Sequence, residues 1–439
     1  MKMKFKRIKG PVGLVTLLVL LLSVSLTSCS AYYSGLWDAY DDSADSSEST
    51  DNGATTPEED SITNSVTNNI TIEAGEQGTA AATAAGLRSA VSIYCAFTTT
   101  SGGSAPWNPM PNTQSYYTTG SGVLYQVESD GSAFVITNYH VVYDSNSDTA
   151  NHISDQIYLY LYGLEDEAYA IPASYVGGSA NYDIAILRID QSEVLKNAIA
   201  SGSAAAVTIG NSDEIVPGET TIAIGNPSAT GLSGISVTKG IVSVDSEYIT
   251  MTAADNSGEV SFRVIRTDAP VNSGNSGGGL YNDRGELIGI VNAKINSSSL
   301  ENIGYAIPSN VARAIADNII DYCYGTDCET VMRGLLGITV TTSGMSTAYD
   351  PETGRLIRSE EVTVYEVTSG GLGESILQAG DVIKSITIGD QTVEVTRQYH
   401  LIDAMLDVRA GDTVSMRIVR NGEEMTVSTT MTEDCLAAY

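Results

Sequence analysis

Residues 267–280 read TDAPVNSGNSGGGL, with Ser276 set among glycines between two apolar runs, FRVIRTDA (262–269) and ELIGIVNA (286–293). Glycine lets a backbone turn sharply and approach its neighbours closely. Taken alone, such a segment is a tight hairpin. Working outward, two more segments share its setting. His140 lies in TNYHVV (137–142), directly after the strand-like AFVIT (133–137), and Asp183 opens the apolar run of NYDIAILRI (181–189). Each has a bland reading: one of only three histidines at a structural position, and an acid at a strand-entry turn. Together they run His, Asp, Ser along the chain, separated by 43 and 93 residues. A serine hydroxyl needs an imidazole to accept its proton, and a carboxylate on the other ring nitrogen fixes the tautomer. All three groups are present in order.

The surrounding sequence is built from short runs rich in Val, Ile and Tyr and punctuated by Gly, Asn and Ser: VSIYCAF, GSGVLYQV, QIYLYLYG, TTIAIGNP, IGYAIP. This spacing predicts an all-β sandwich or barrel from about residue 91. A helix is expected at 309–322, with Ser309 as its cap. Residues 334–432 form a second, mixed unit of strand-like runs with helical stretches near 371–379 and 398–408. At 439 residues the chain is too long for one core.

TDAPVNSGNSGGGL, with TNYHV, YDIAIL, AIGNP (223–227), VTKGIVS (237–243) and IGYAIP (303–308), resembles the HtrA/Deg family of serine proteases. The matches run in order over roughly residues 86–432. The resemblance implies an all-β, chymotrypsin-like protease domain of two six-stranded antiparallel barrels at 86–325, and a small α+β PDZ domain at 330–434. It casts His140 as general base, Asp183 as its orienting carboxylate and Ser276 as nucleophile. The amides of Gly274, Asn275 and Ser276 become the oxyanion hole. Ile290, Val291 and Asn292 become the wall that pairs with substrate. Two departures stand out. Gly279 occupies a position where the family usually has Pro or Ala, a change expected to be mild. Asn275 replaces the Asp that pairs with a new N-terminus in digestive enzymes, so activity is expected to depend on loops 98–119 and 293–302 ordering the 272–276 turn.

RGLLGITV (333–340) is similar to the loop that opens a PDZ domain, where successive amides receive a peptide's terminal carboxylate. Leu335, Leu336, Gly337 and Ile338 are therefore candidates for peptide binding, with Leu336 and Ile338 equally readable as core. Ile402 and Met405 or Leu406 would line the groove, and Asn421-Gly422 predicts a hairpin turn. The polar stretch 341–361 is longer than the shortest PDZ domains require. The resemblance further implies a trimer, with Tyr94 and Phe97 as contributors.

The N-terminus carries Lys2, Lys4, Lys6, Arg7 and Lys9, then an apolar run, Pro11 to Leu22, of signal-peptide length. Leu26-Thr27-Ser28-Cys29 is similar to the bacterial lipobox, which implies a signal at 1–28 and a lipidated Cys29. Acyl chains anchor at about 0.8 kcal/mol per methylene. An ordinary cleaved signal, or an uncleaved anchor over 10–28, are the alternatives. Residues 29–85 follow as an acidic tether. Without the five leading cations, 17 basic residues face 53 acidic ones, net −36, which repels phosphate and argues against nucleic acid as a partner. Cys95, Cys323, Cys328 and Cys435 are too few for a disulfide scaffold; Cys323 and Cys328 are near enough to bridge or remain thiols. No cofactor or metal is expected. The whole predicts a lipid-anchored, extracytoplasmic bacterial endopeptidase that degrades unfolded proteins and binds C-terminal peptides. The alternatives are a proteolytically silent chaperone on the same fold, or a signalling protease with one substrate.

Overall fold

The computed structural model describes residues 77–101, 112–227, 234–295 and 303–439. Cys29, the signal-like segment and most of the acidic stretch lie outside them, as do parts of both loops expected to order the Ser276 turn. The described residues form one compact unit. It opens with helix α1 (Gln77–Leu87).

Six strands then close a first antiparallel barrel: β1 (Ala90–Ser101), β2 (Asn112–Val127), β3 (Ala133–Thr137), β4 (Gln156–Leu161), β5 (Ile171–Ser179) and β6 (Ile184–Ile189), in spatial order β1-β2-β3-β6-β5-β4. One helical turn, α2 (Tyr139–Val142), follows β3, and α3 (Glu193–Ser201) follows β6. A second closed barrel comprises β7 (Thr220–Gly225), β8 (Ser236–Thr252), β9 (Glu259–Thr267), β10 (Gly279–Tyr281), β11 (Leu287–Val291) and β12 (Gly304–Pro308), ordered β10-β11-β12-β9-β8-β7. Helix α4 (Ser309–Cys323) packs on both barrels.

Strand β6 shows why the apolar runs are continuous rather than alternating. Side chains of successive strand residues point to opposite faces. Ala185, Leu187 and Ile189 fill the first barrel, while Ile184 and Ile186 join a cluster between the barrels with Ile136, Ile224, Ile290, Val311 and Ile315. A strand buried on both faces is apolar along its length except near its end, where Arg188 is partly exposed and pairs with Glu128 and Asp190. The same parity corrects one expectation: Phe97 shares its face with Val91, Ile93 and Cys95, is 1% exposed and stacks on Tyr116 inside the first barrel. It is not available for contact with another subunit. Tyr94, on the other face, is half-buried against Tyr160.

Ser309 also differs from expectation. It is fully buried and donates to Gly210 O at 2.7 Å, so it does not cap α4. The first turn finds its acceptor elsewhere, Asn310 N–H donating to Ser212 Oγ at 3.1 Å.

The C-terminal unit is a sheet ordered β14-β15-β16-β18-β19, built from β14 (Ile338–Asp350), β15 (Arg355–Val367), β16 (Val382–Ile388), β18 (Thr413–Arg420) and β19 (Glu423–Thr430). Between them β17 (Gln391–Glu394) pairs with β16. A short two-stranded sheet joins β13 (Met332–Gly334) to β20 (Leu436–Ala438). Residues 341–361 continue β14 and β15 into one long hairpin. The 371–379 stretch forms only a short turn of 3-10 helix, Leu372–Ser375, whereas helix α5 spans Gln398–Ala404. Asn421 and Gly422 have φ of 53° and 84°, the left-handed pair a tight β-hairpin requires. Cys323 and Cys328 are bridged.

Arginines tie this unit to the second barrel. Arg263 on β9, side chain 2% exposed, reaches Asp213 at 2.8 Å and Asp403 of α5 at 2.7 Å, and lies 3.9 Å over the Tyr399 ring. Arg355 at the hairpin tip pairs with Glu219 and donates to Glu214 O at 3.1 Å. Arg397 pairs with Asp245 at 3.3 Å. Burial is costly for such groups, and it pushes the Asp403 carboxyl up to about 6 even beside Arg263.

The glycine at position 279 has a local reason. A Cβ there would lie 2.3 Å from the Tyr281 ring, which is fully buried and hydrogen-bonded through its hydroxyl to Ser89 Oγ at 3.0 Å. The ring occupies the space a larger residue would take. Gly279→Ala is therefore expected to destabilise the chain by about 1–3 kcal/mol in urea denaturation. In a Tyr281→Val background the same change should cost much less, and equal costs in the two backgrounds would show that the ring is not the cause.

Candidate active site

The three sequence candidates meet at the seam between the barrels, each delivered by a turn. His140 sits on α2 after β3, Asp183 in the β5–β6 turn and Ser276 in the β9–β10 turn. Asp183 is 1% exposed and has a left-handed backbone, φ 55°, which costs roughly 1–3 kcal/mol unless held. It is held on every side. Its Oδ1 accepts from the His140 backbone N–H at 2.9 Å, and its Oδ2 faces His140 Nδ1 at 2.6 Å. Asn292 Nδ2 donates to the same Oδ2 at 2.8 Å, and Asn138 Nδ2 donates to the Asp183 carbonyl at 2.8 Å. An ionised carboxylate only accepts, so Nδ1 carries the imidazole proton and Nε2 is left as the base.

The Ser276 turn is locked against the first barrel by Ser121. Its backbone N–H donates to Ser276 O at 2.8 Å, and its hydroxyl donates to Gly274 O at 2.7 Å while accepting from Asn226 N–H at 2.8 Å. Gly277, φ 83°, comes so close to β2 and β3 that a Cβ would lie 2.2 Å from Ser121 O and 2.3 Å from Thr137 Oγ1. Gly274, φ 93°, is pressed equally hard on Asn226 O. The Ser276 hydroxyl accepts from the Ala293 N–H at 3.2 Å; among the described residues it makes no hydrogen bond to His140.

Three assignments need correction. The Asn275 N–H donates to Asn272 O at 3.0 Å, so it is turned back into its own loop and does not face outward. The amides of Gly274 and Ser276 have no acceptor among the described residues. Ile290 and Val291 are buried in the middle of the second barrel: Ile290 pairs with Gly279 and Ile307, and Val291 uses its N–H on Gly278 O and its C=O on Gly277 N–H. Neither can add a substrate strand; the Asn292 N–H is likewise used, on Tyr305 O at 2.9 Å, and exposure begins only at Ala293. Asn292 itself is fully buried with its amide on Asp183, a role that motif reading missed because it placed the residue in the wall. Leu406, also fully buried, belongs to the core rather than the groove.

In the C-terminal unit, Leu335, Leu336, Gly337 and Ile338 line a groove of about 220 Å³ together with Thr368, Leu401, Ile402 and Met405. Leu336 is 5% exposed and serves the core as well, whereas Leu335 is 47% exposed. Gly337 has φ 69°. The groove lies between the start of β14 and α5.

Chemically, the seam gathers an oriented base, a serine held in a glycine-rich turn and two amides with no acceptor among the described residues, the parts that acyl transfer requires. The family model of the trypsin-like peptidase domain matches residues 120–290, a span that contains all three candidates. The chain is 34% identical over 312 residues to the serine protease Do-like HtrA of Bacillus subtilis (strain 168), covering 70% of this chain and 62% of that protein. It is 33% identical over 316 residues to the serine protease Do-like HtrA of Lactococcus lactis subsp. lactis (strain IL1403), covering 70% and 69%. A solved structure, the HtrA-type protease AlgW with decapeptide, is 27% identical with a TM-score of 0.49, covering 80% of this chain and 98% of that one. The chain spans about 62% of the length of the two Bacillus subtilis relatives it matches.

Hydrogen bonds to a charged group contribute about 1.5–3 kcal/mol. Asn292→Leu, which removes one of the donors to Asp183, should lower kcat/KM on a peptide ester by about 10- to 150-fold. An unchanged kcat/KM would show that Asn292 has no part in holding the carboxylate.

Proposed function

The chain belongs to the Do-like HtrA family of serine proteases, and from that membership we propose that it is a serine endopeptidase working through Ser276, His140 and Asp183. The observation that carries this reading is the 2.6 Å contact between His140 Nδ1 and a buried Asp183, next to a glycine-bound serine turn. The Ser276 hydroxyl turns from Ala293 N–H toward His140 Nε2 and attacks the scissile carbonyl as the imidazole takes its proton. Asp183 stabilises the imidazolium that results. Negative charge builds on the carbonyl oxygen, and the Gly274 and Ser276 amides receive it, a contribution of about 10²–10³ in turnover per donor. The protonated imidazole then gives its proton to the leaving amine. Water repeats the sequence on the acyl-enzyme.

The division of labour follows the sequence boundaries: a protease domain over 86–325 and a peptide-binding PDZ domain over 330–434. Leu335 to Ile338 would hold a C-terminal carboxylate and its last apolar side chain, supported by the groove between β14 and α5. Unfolded polypeptides are the substrates this arrangement suits, since both strand addition and the active-site cleft need extended chain. The N-terminal features support a location outside the cytoplasm of a bacterium, with a lipid on Cys29 as the membrane anchor, and the family suggests a homotrimer.

Casein digestion tests the chemistry directly. The intact chain should degrade it, and Ser276→Ala should lower turnover by on the order of 10⁶. Undiminished digestion by Ser276→Ala would end this reading.

A further inference from the structure

The long hairpin of the C-terminal unit is not needed to build the groove, and its outer strand carries an unusual sequence. β14 is the edge of its sheet, hydrogen-bonded to β15 on one side only among the described residues. Exposed edges are normally guarded by charges or proline, because unpaired N–H and C=O groups recruit another strand. From Ile338 to Tyr349, ITVTTSGMSTAY, β14 has neither a charged residue nor a proline. In a chain with 17% charged residues such a stretch is conspicuous. Residues 341–349 are all exposed, and two of them are large and apolar, Met345 at 77% and Tyr349 at 65%. Its pairing with β15 shifts register twice, between Thr339 and Val340 and between Ser343 and Ser346, and at the second Gly344 has φ 57° and bends the strand. The far end is fixed in place by Arg355, paired with Glu219 and bonded to Glu214 O. A pre-fixed edge gives up little conformational freedom when it takes a partner.

We propose that the outer edge of β14 continues the groove: it takes up, as an added antiparallel strand, the extended stretch of an unfolded polypeptide just upstream of its C-terminus. This rests on the reading of the groove as a C-terminal peptide site. The geometry sets the direction. The Leu335–Gly337 loop precedes β14, so a chain whose end is held there runs back along β14 from Ile338 toward Asp350. The 13-residue strand offers pairing to about ten ligand residues beyond the few that fill the groove. The ligand class is therefore a long, extended, uncharged or weakly charged tail with apolar residues spaced to meet Met345 and Tyr349. A short terminal motif alone would leave most of the edge unused.

Fluorescence anisotropy on the full chain carrying Ser276→Ala tests this with two labelled peptides that share their last residues, one of about five residues and one of about fourteen. The longer peptide should bind about tenfold tighter or more. N-methylation of alternate backbone amides in its upstream part should abolish that gain without altering any side chain. Equal affinity for the two peptides, or a gain that survives N-methylation, would overturn the proposal while leaving the groove intact. Failure of both peptides to bind would instead strike down the groove reading, and this inference with it. A concentration-dependent dimer in sedimentation that the longer peptide does not dissociate would assign the edge to a second copy of the chain, and would also overturn it.

Discussion

A carboxylate removed from water must be surrounded by donors or lose its charge, and the arrangement of the seam follows from how Asp183 meets that demand. Three hydrogen bonds reach its two oxygens, two from His140 and one from Asn292. They come from two elements far apart in sequence, α2 and the end of β11, so the carboxylate fixes those elements relative to each other as well as orienting the imidazole. The left-handed backbone at Asp183 persists because these bonds, with Asn138 on its carbonyl, over-determine it.

The second constraint is close approach. The Ser276 turn must lie against the first barrel, and only residues without side chains permit it: Gly277 sits on Ser121 and Thr137, Gly274 on Asn226. Ser121 completes the fit by donating through both its backbone and its hydroxyl to the turn. The glycines therefore supply room, and Ser121 supplies the attachment. Among the described residues the amides of Gly274 and Ser276 are left without acceptors, while that of Asn275 is satisfied inside the loop.

The C-terminal unit is held by a different kind of contact. Beside the burial of Leu406 against α4, its docking face is ionic, with Arg263, Arg355 and Arg397 each spanning the boundary to the second barrel or to its loops. Buried ion pairs contribute little net stability but are strongly directional, and removing one partner leaves an unpaired charge. α5 stands at the junction: Asp403 faces Arg263, while Leu401, Ile402 and Met405 line the groove. The same short helix thus belongs to both the docking face and the binding face.

What the amino-acid sequence determined by itself was local: which runs are strands, where Gly and Asn-Gly turns fall, and which serine, histidine and aspartate lie in the right settings. Those follow from nearest-neighbour chemistry, and nearly every apolar run is a strand. Parity along β1 even contained the information that Phe97 points inward, since it shares the phase of Val91, Ile93 and Cys95. Only the tertiary structure decided how the polar groups pair. Asn292 looked like substrate wall and proved to hold Asp183, 109 residues away; Ser309 looked like a helix cap and serves Gly210 instead. Nothing in Ser121's own surroundings signals its attachment to Gly274, across 153 residues. Strand register and barrel closure set these partnerships, and no local pattern encodes which distant donor will face a buried acceptor.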